Sequence, residues 1–212
     1  MSHFDTAQLI ALAAVLGFAS GIRLYAVLLV VGLVGFAGWV QLPQGLQVLS
    51  HPWVLGAAGL MFVVEFFADK VPAVDSLWDA LHTFIRIPAG AALAAGVFGF
   101  GNGDPVWTTM AAILGGSLAA TSHLAKTGTR AAVNTSPEPF SNVIVSTAED
   151  VLVGGLLALV LTYPLVAFAI VLLLVVAALW LLPKLLRFVG GVLRRLVGSD
   201  TEATTGQGTR AR

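Results

Sequence analysis

From Leu165 to Leu182 the chain runs through eighteen residues without one polar side chain, and Pro183 closes the run. A helix needs about 20 apolar residues to cross a bilayer core of roughly 30 Å. No water-soluble architecture accommodates such a run easily, so the rest of the sequence has to be read against a lipid solvent. The composition agrees. Apolar residues make up 58% of the 212 and charged residues only 10%, against about 25% charged in an ordinary soluble domain.

Further spans follow from the same reasoning. Val151 to Leu161 is apolar, and Thr162-Tyr163-Pro164 supplies a turn, which predicts a hairpin of two spans over 143–162 and 164–183. Val106 to His123 follows the turn signal Gly101-Asn102-Gly103-Asp104-Pro105. Ser76 to Phe100 and Pro52 to Ala68 complete the middle of the chain. Residues 6–40 are nearly all apolar, but one helix of that length would measure about 52 Å. Ser20-Gly21-Ile22-Arg23 interrupts it. A break there yields a short segment, 6–19, which crosses or enters and returns, and a full span, 23–40. The fold class expected is all-α: a polytopic transmembrane bundle of six or seven spans with a broken or re-entrant segment, occupying 1–183. Lys184 to Val197 reads as an amphipathic interfacial helix, and 198–212 as a disordered Ser/Thr/Gly-rich tail.

Lysine and arginine set the orientation. With Lys184, Arg187, Arg194 and Arg195 in the cytoplasm, Lys126, Arg130, Lys70 and the Arg23 turn fall on the same side. The opposite loops, 41–51, 101–105 and 162–164, carry no lysine or arginine. The expected location is therefore a bacterial inner membrane with a cytoplasmic C-terminus. Formal net charge is zero and cysteine is absent. No nucleic-acid partner, disulfide frame or thiolate chemistry is expected, and the N-terminus lacks the basic flank of a signal peptide.

The polar residues are few and concentrated. Glu65 and Asp69 are four apart and share a helix face. Asp75, Asp79, His82 and Arg86 step by four, three and four, as one stripe, and His123, Lys126 and Arg130 step by three and four. Glu149-Asp150 lies two turns into its own span. A charge inside hydrocarbon costs roughly 2.5–3.5 kcal/mol on insertion scales, so these residues are expected to face inward and pair: Glu65, Asp69 and Glu149 against Arg23, Arg86 and Arg130. The segment 126–142, with Asn134, two prolines and many hydroxyls, is expected as an irregular or re-entrant loop lining a cavity. Lys70 and Lys126 read as markers of the membrane boundary.

Gly17-Phe-Ala-Ser-Gly-Ile-Arg-Leu-Tyr25, Glu65-Phe-Phe-Ala-Asp-Lys70-Val-Pro-Ala-Val-Asp75 and Lys126-Thr-Gly-Thr-Arg130 through Asn142 resemble an uncharacterised bacterial membrane-protein family, a domain of unknown function (DUF4126-like), over roughly 10–165. The resemblance implies a polytopic inner-membrane protein and supplies no reaction or ligand. Glu65-x-x-x-Asp69-Lys70 is also similar to the Glu-x-Gly-Asp-Lys motif of a cation-exporter family, one residue longer here and without the glycine.

Three functions compete. The first is a transporter or channel for an ion or small polar solute. Its charged, cytoplasm-facing cavity would use Glu65, Asp69, Glu149, Asp150, Arg23, Arg86, Arg130 and Asn134, with His82 and His123 relaying protons. The second is a non-catalytic scaffold that binds a partner. The third, a lipid-headgroup enzyme, lacks a nucleophile elbow, phosphatase signature or metal triad, so no enzyme activity and no cofactor is expected. Gly32-x-x-Gly35-x-x-Gly38, Gly115-Gly116 and Gly154-Gly155 suit close helix packing or the interface of a homo-oligomer.

Overall fold

The structure, a computed structural model, describes residues 5–99, 103–135 and 139–205, with backbone alone for 139, 189 and 192–205. It is all-helical among those residues. Six α-helices follow one another: α1 (Thr6–Phe36), α2 (Pro52–Ala68), α3 (Val74–Val97), α4 (Pro105–Val133), α5 (Pro139–Thr162) and α6 (Pro164–Thr205). A 3-10 helix, Gln44–Ser50, precedes α2. Proline opens α2, α4, α5 and α6, where its missing N–H costs nothing and its φ suits the first turn. Asp5 caps α1 reciprocally with Gln8, and Asp104 caps α4 by accepting from the Val106 N–H at 2.8 Å.

α1 is the axis of the bundle. It is continuous in sequence but broken at Arg23, whose φ of −139° and ψ of 76° leave the helical region. The two arms approach each other. Leu12 and Leu16 of the first and Val30 and Val31 of the second line one small hollow, and Leu9 and Gly35 both border a larger cavity. A straight helix would hold Leu9 and Gly35 about 39 Å apart, so α1 folds back at Arg23. The break expected at 20–23 is present.

α3 and α4 pack beside the first arm through small residues. A Cβ on Gly17 would lie 2.6 Å from the Gly115 Cα, and one on Gly90 would lie 2.8 Å from the Ser20 Oγ. These contacts let three backbones close on one another. α5 and α6 cover the other side, where Val153, Leu157, Val160, Ala167 and Val171 enter the core. Outward, the bundle is apolar: Phe84, Leu60, Ile113, Ile144, Leu173 and Val176 are all well exposed. Apolar groups inside and outside are what a lipid solvent permits.

By length and composition four helices can cross a membrane: α1, α3, α5 and α6. The 3-10 helix and α2, bent by 71°, make a fifth if counted as one. The six or seven spans expected are thus not reached by that measure. α4 is long enough, with 29 residues, but its Ser, Thr, Gly and basic residues keep it out of the set. Two local expectations also change. Residues 126–133, expected as irregular loop, are helical, because the polar groups there find partners inside the bundle and the α4 helix can continue; only 134–138 separate α4 from α5. No break marks the start of an interfacial helix at Lys184, since α6 runs through Pro183 to Thr205. The part of the expected tail beyond 205 lies outside the described residues.

Candidate functional site

The break in α1 creates the electrostatic demand that the site answers. A helix that stops leaves carbonyl oxygens without partners, and its C-terminal end carries partial negative charge. At the end of the first arm, Ser122 Oγ donates to the Phe18 carbonyl at 2.7 Å, Lys126 Nζ to that of Ile22 at 3.2 Å and Arg86 Nη1 to that of Gly21 at 3.5 Å. Two cations from neighbouring helices therefore stand where the backbone is interrupted, and carboxylates gather around them.

Arg86 donates to Glu65 Oε1 at 2.6 Å and to Asp79 Oδ1 at 2.8 Å. Lys126 Nζ lies 2.5 Å from Asp69 Oδ2 and 3.2 Å from Asp79 Oδ1. Arg23, at the break, pairs with Asp69, donates to Ser146 Oγ at 2.8 Å and to its carbonyl at 2.9 Å, and lies 3.0 Å from Asp150 and 3.4 Å from Glu149. Arg130 holds Glu149 with a two-point fork, Nη2–Oε2 2.7 Å and Nε–Oε1 3.2 Å, the geometry to which a guanidinium is suited. It also donates to the Asp69 carbonyl at 2.8 Å and to Asn142 Oδ1 at 2.5 Å. Asn134, the C-cap of α4, donates to both Asp75 oxygens, at 2.9 and 3.1 Å, and to Ser76 Oγ at 2.9 Å.

The result is one network with two lobes. Glu65, Asp79, Arg86 and His123 form one; Arg23, Asp69, Glu149, Asp150 and Arg130 form the other. Lys126 touches carboxylates of both. It is buried and acts as the hub, which corrects the expectation that it marks a membrane boundary. The stripe His123-Lys126-Arg130 was the signal for it: one helix face cannot put its first and last members inside and its middle member outside. Asp75, Asp79, Ser146 and Asn142 belong to the network too. For the last two the signal is spacing, since Asn142, Ser146 and Glu149 step by four and three along one face.

The expected pairing of Glu65, Asp69 and Glu149 with Arg23, Arg86 and Arg130 describes the contacts found. The open chamber does not. Glu65, Asp69, Asp75, Asp79, Arg86 and Arg130 are each 0% exposed. Exposure is confined to the periphery, where the side chains of Glu149, Asp150 and Lys70 are 11, 22 and 21% exposed and Ser76, Thr83 and Asn134 are half-buried. Charged and polar side chains of five helices close on one another there. Among the described residues, Glu65 Oε2, Asp69 Oδ1 and Asp79 Oδ2 inside have no hydrogen-bond partner, nor have Arg86 Nε and Asn142 Nδ2.

The two histidines are fixed by what surrounds them. His123 Nδ1 faces Arg86 at 3.4 Å, and a guanidinium only donates. Its Nε2 shares a hydrogen bond of 2.8 Å with Thr83 Oγ1, which also lies 3.0 Å from the Asp79 carbonyl. His82 Nδ1 donates to the Trp78 carbonyl at 2.8 Å, so its Nε2 accepts from the Tyr25 hydroxyl at 3.1 Å; the ring stacks on Trp78 with centroids 4.0 Å apart. Among the described residues no three His, Cys, Asp or Glu are placed to hold a metal ion.

No curated protein and no solved structure matches the chain. A family model does, over residues 10–184, which include every residue of the network; the chain belongs to the family described as Domain of unknown function (DUF4126).

Proposed function

We propose that this is a membrane transport protein for a small cation, the proton included, and that its binding site is the carboxylate set Glu65, Asp69 and Asp79 within the buried network. One observation carries the reading: charged side chains from α1 to α4 meet out of reach of water, and among the described residues the Glu65, Asp69 and Asp79 carboxylates each keep one oxygen without a hydrogen bond, as Arg86 Nε and Asn142 Nδ2 beside them do. A buried ion-pair network is a poor way to gain stability, since apolar residues of similar volume often do as well or better. Ionisable groups at this depth instead mark ion and proton pathways in membrane proteins.

The charges favour a cation. Glu65, Asp69, Asp75, Asp79, Glu149 and Asp150 face Arg23, Lys70, Arg86, Lys126 and Arg130, so fully ionised groups leave one negative charge over. A proton or a loosely held monovalent ion suits that excess better than a divalent metal, for which no ligand cage is formed. A broken helix beside the site, as at Arg23, is a recurrent device of transporters. The closed network suits a carrier that alternates between states rather than an open channel. In this reading the chain crosses seven times, each arm of α1 once, with the network toward the cytoplasm.

The same closure favours a second reading, a scaffold in which the network only clamps the helices while a partner binds elsewhere. Glu65→Gln separates the two. Glutamine keeps the shape and one acceptor for Arg86 but cannot take up a proton. In proteoliposomes with an imposed pH or cation gradient, the variant is expected to lose flux at least about tenfold, in keeping with the loss of one essential ionisable group, while remaining monodisperse. Equal flux in both proteins across protons and alkali cations would overturn the proposal, and absence of flux in both would leave the scaffold.

A further inference from the structure

A half-open cavity lies away from the charge network, and its described lining residues carry no charge. It has a volume of about 870 Å³ and is bordered by the loop after α1, the 3-10 helix and the ends of α1 and α3. A 3-10 helix has three residues per turn, so residues three apart eclipse one another. Gln44, Gln47 and Ser50 stand in one row, Gln41 continues the same spacing before it, and all four line the cavity. Leu46 and Leu49, off that row, are buried in the core. The wall is thus a ladder of amides and a hydroxyl, with no ionisable side chain among its described residues.

A second hollow continues from the first, sharing Val40, Leu42 and Pro43, and enters between the two arms of α1 against α5. Its walls are apolar, including Leu12, Leu16, Val31, Leu157 and Val160, and only about 10 Å³ of it is open, too little for more than a single water. Leu16 is seven residues from Arg23, or about 10 Å along the helix. Amide-lined cavity, dry constriction and charge network therefore follow one another along the fold-back of α1.

We infer that the glutamine-lined cavity is the entry vestibule for a small hydrated cation, and that Leu12, Leu16, Val31, Leu157 and Val160 form an apolar gate between it and the network. This rests on the transport reading above. Amide oxygens can replace part of an ion's water shell without holding it by fixed charge, and an apolar constriction closes a pathway by dewetting. The break in α1 supplies the movement. Because the arms are joined at Arg23 alone, a rearrangement of its ion pairs changes the angle between them and so the width of the constriction.

The chain contains no cysteine, so single cysteines report access directly. The probe is a charged, membrane-impermeant methanethiosulfonate, applied to sealed vesicles from the side of the 3-10 helix. Gln47→Cys is expected to react as fast as Trp53→Cys, an exposed control. Leu16→Cys should react at least about tenfold more slowly, and Leu157→Ala, by opening the gate, should speed it at least about tenfold. Val160→Cys serves the same purpose if Leu16→Cys does not fold. An unreactive Gln47→Cys, or a rate at Leu16→Cys that Leu157→Ala leaves unchanged, would overturn the inference. Failure of the transport reading shows differently: no flux in the wild type with this labelling pattern intact.

Discussion

The two ends of the bundle make opposite use of polar residues. At one, six fully buried ionisable groups are packed to 0% exposure. At the other, glutamines and serine border an open cavity of about 870 Å³. Opposite charges held out of water must stay closely paired, because one left alone costs several kcal/mol. Amides carry no such requirement and are content with water. The difference teaches that polarity alone does not make a cavity. The strongest polar signal in the sequence marks the tightest part of the fold, and the weak signal marks the hollow.

Substitutions that break this contrast should differ in cost. Arg86→Met strands Glu65 and Asp79 without their shared guanidinium and should cost about 3–5 kcal/mol, the usual penalty for an uncompensated buried charge; thermal unfolding in detergent would show it as a large drop in Tm or a failure to fold. Gly115→Ala attacks instead the packing of α4 on α1 and α3, mid-bundle. Its new methyl would meet the Gly90 carbonyl oxygen 2.6 Å away, and overfilling of this kind costs about 1–3 kcal/mol. Asp150→Asn removes a carboxylate from the wet edge, where a pair is worth about 1 kcal/mol or less. Gln47→Ala, in the hollow, should stay within about 0.5 kcal/mol of the wild type. A Gln47→Ala loss that rivals Arg86→Met in the same assay would erase the distinction between the ends.

Much of the charged end was legible in the sequence. Helical spacing put Glu65 with Asp69 and Asp79 with Arg86 on common faces, and the cost of charge in lipid required them to pair. The turn Thr162-Tyr163-Pro164 and the interruption at Ser20-Gly21-Ile22-Arg23 located the α5–α6 hairpin and the break in α1. Lys126 was misread because a lysine near a span end has two uses, snorkelling outward or capping carbonyls inward, and sequence alone does not say that a neighbouring helix is broken beside it. The segment 126–133 looked irregular for its hydroxyls and glycine, yet Thr129 returns its hydroxyl to the Ala125 carbonyl at 2.8 Å and Arg130 finds acceptors on α2 and α5, so the helix persists. The cavity at the other end was not legible at all. It depends on a 3-10 helix that lines up residues three apart, and the Gln-Leu-Pro-Gln-Gly-Leu-Gln run of 41–47 reads simply as loop.

The question that decides the whole reading is whether the network handles ions or merely holds helices, and one matched replacement asks it directly. Glu65→Leu combined with Arg86→Met exchanges a buried ion pair for apolar residues of similar volume, a change that buried pairs often tolerate, and leaves Asp79 with Lys126 at 3.2 Å as its remaining cation. Flux and Tm measured on this double variant should show a folded protein that has lost transport. A folded double variant that carries ions as fast as the wild type would contradict the assignment of Glu65 to the transport site.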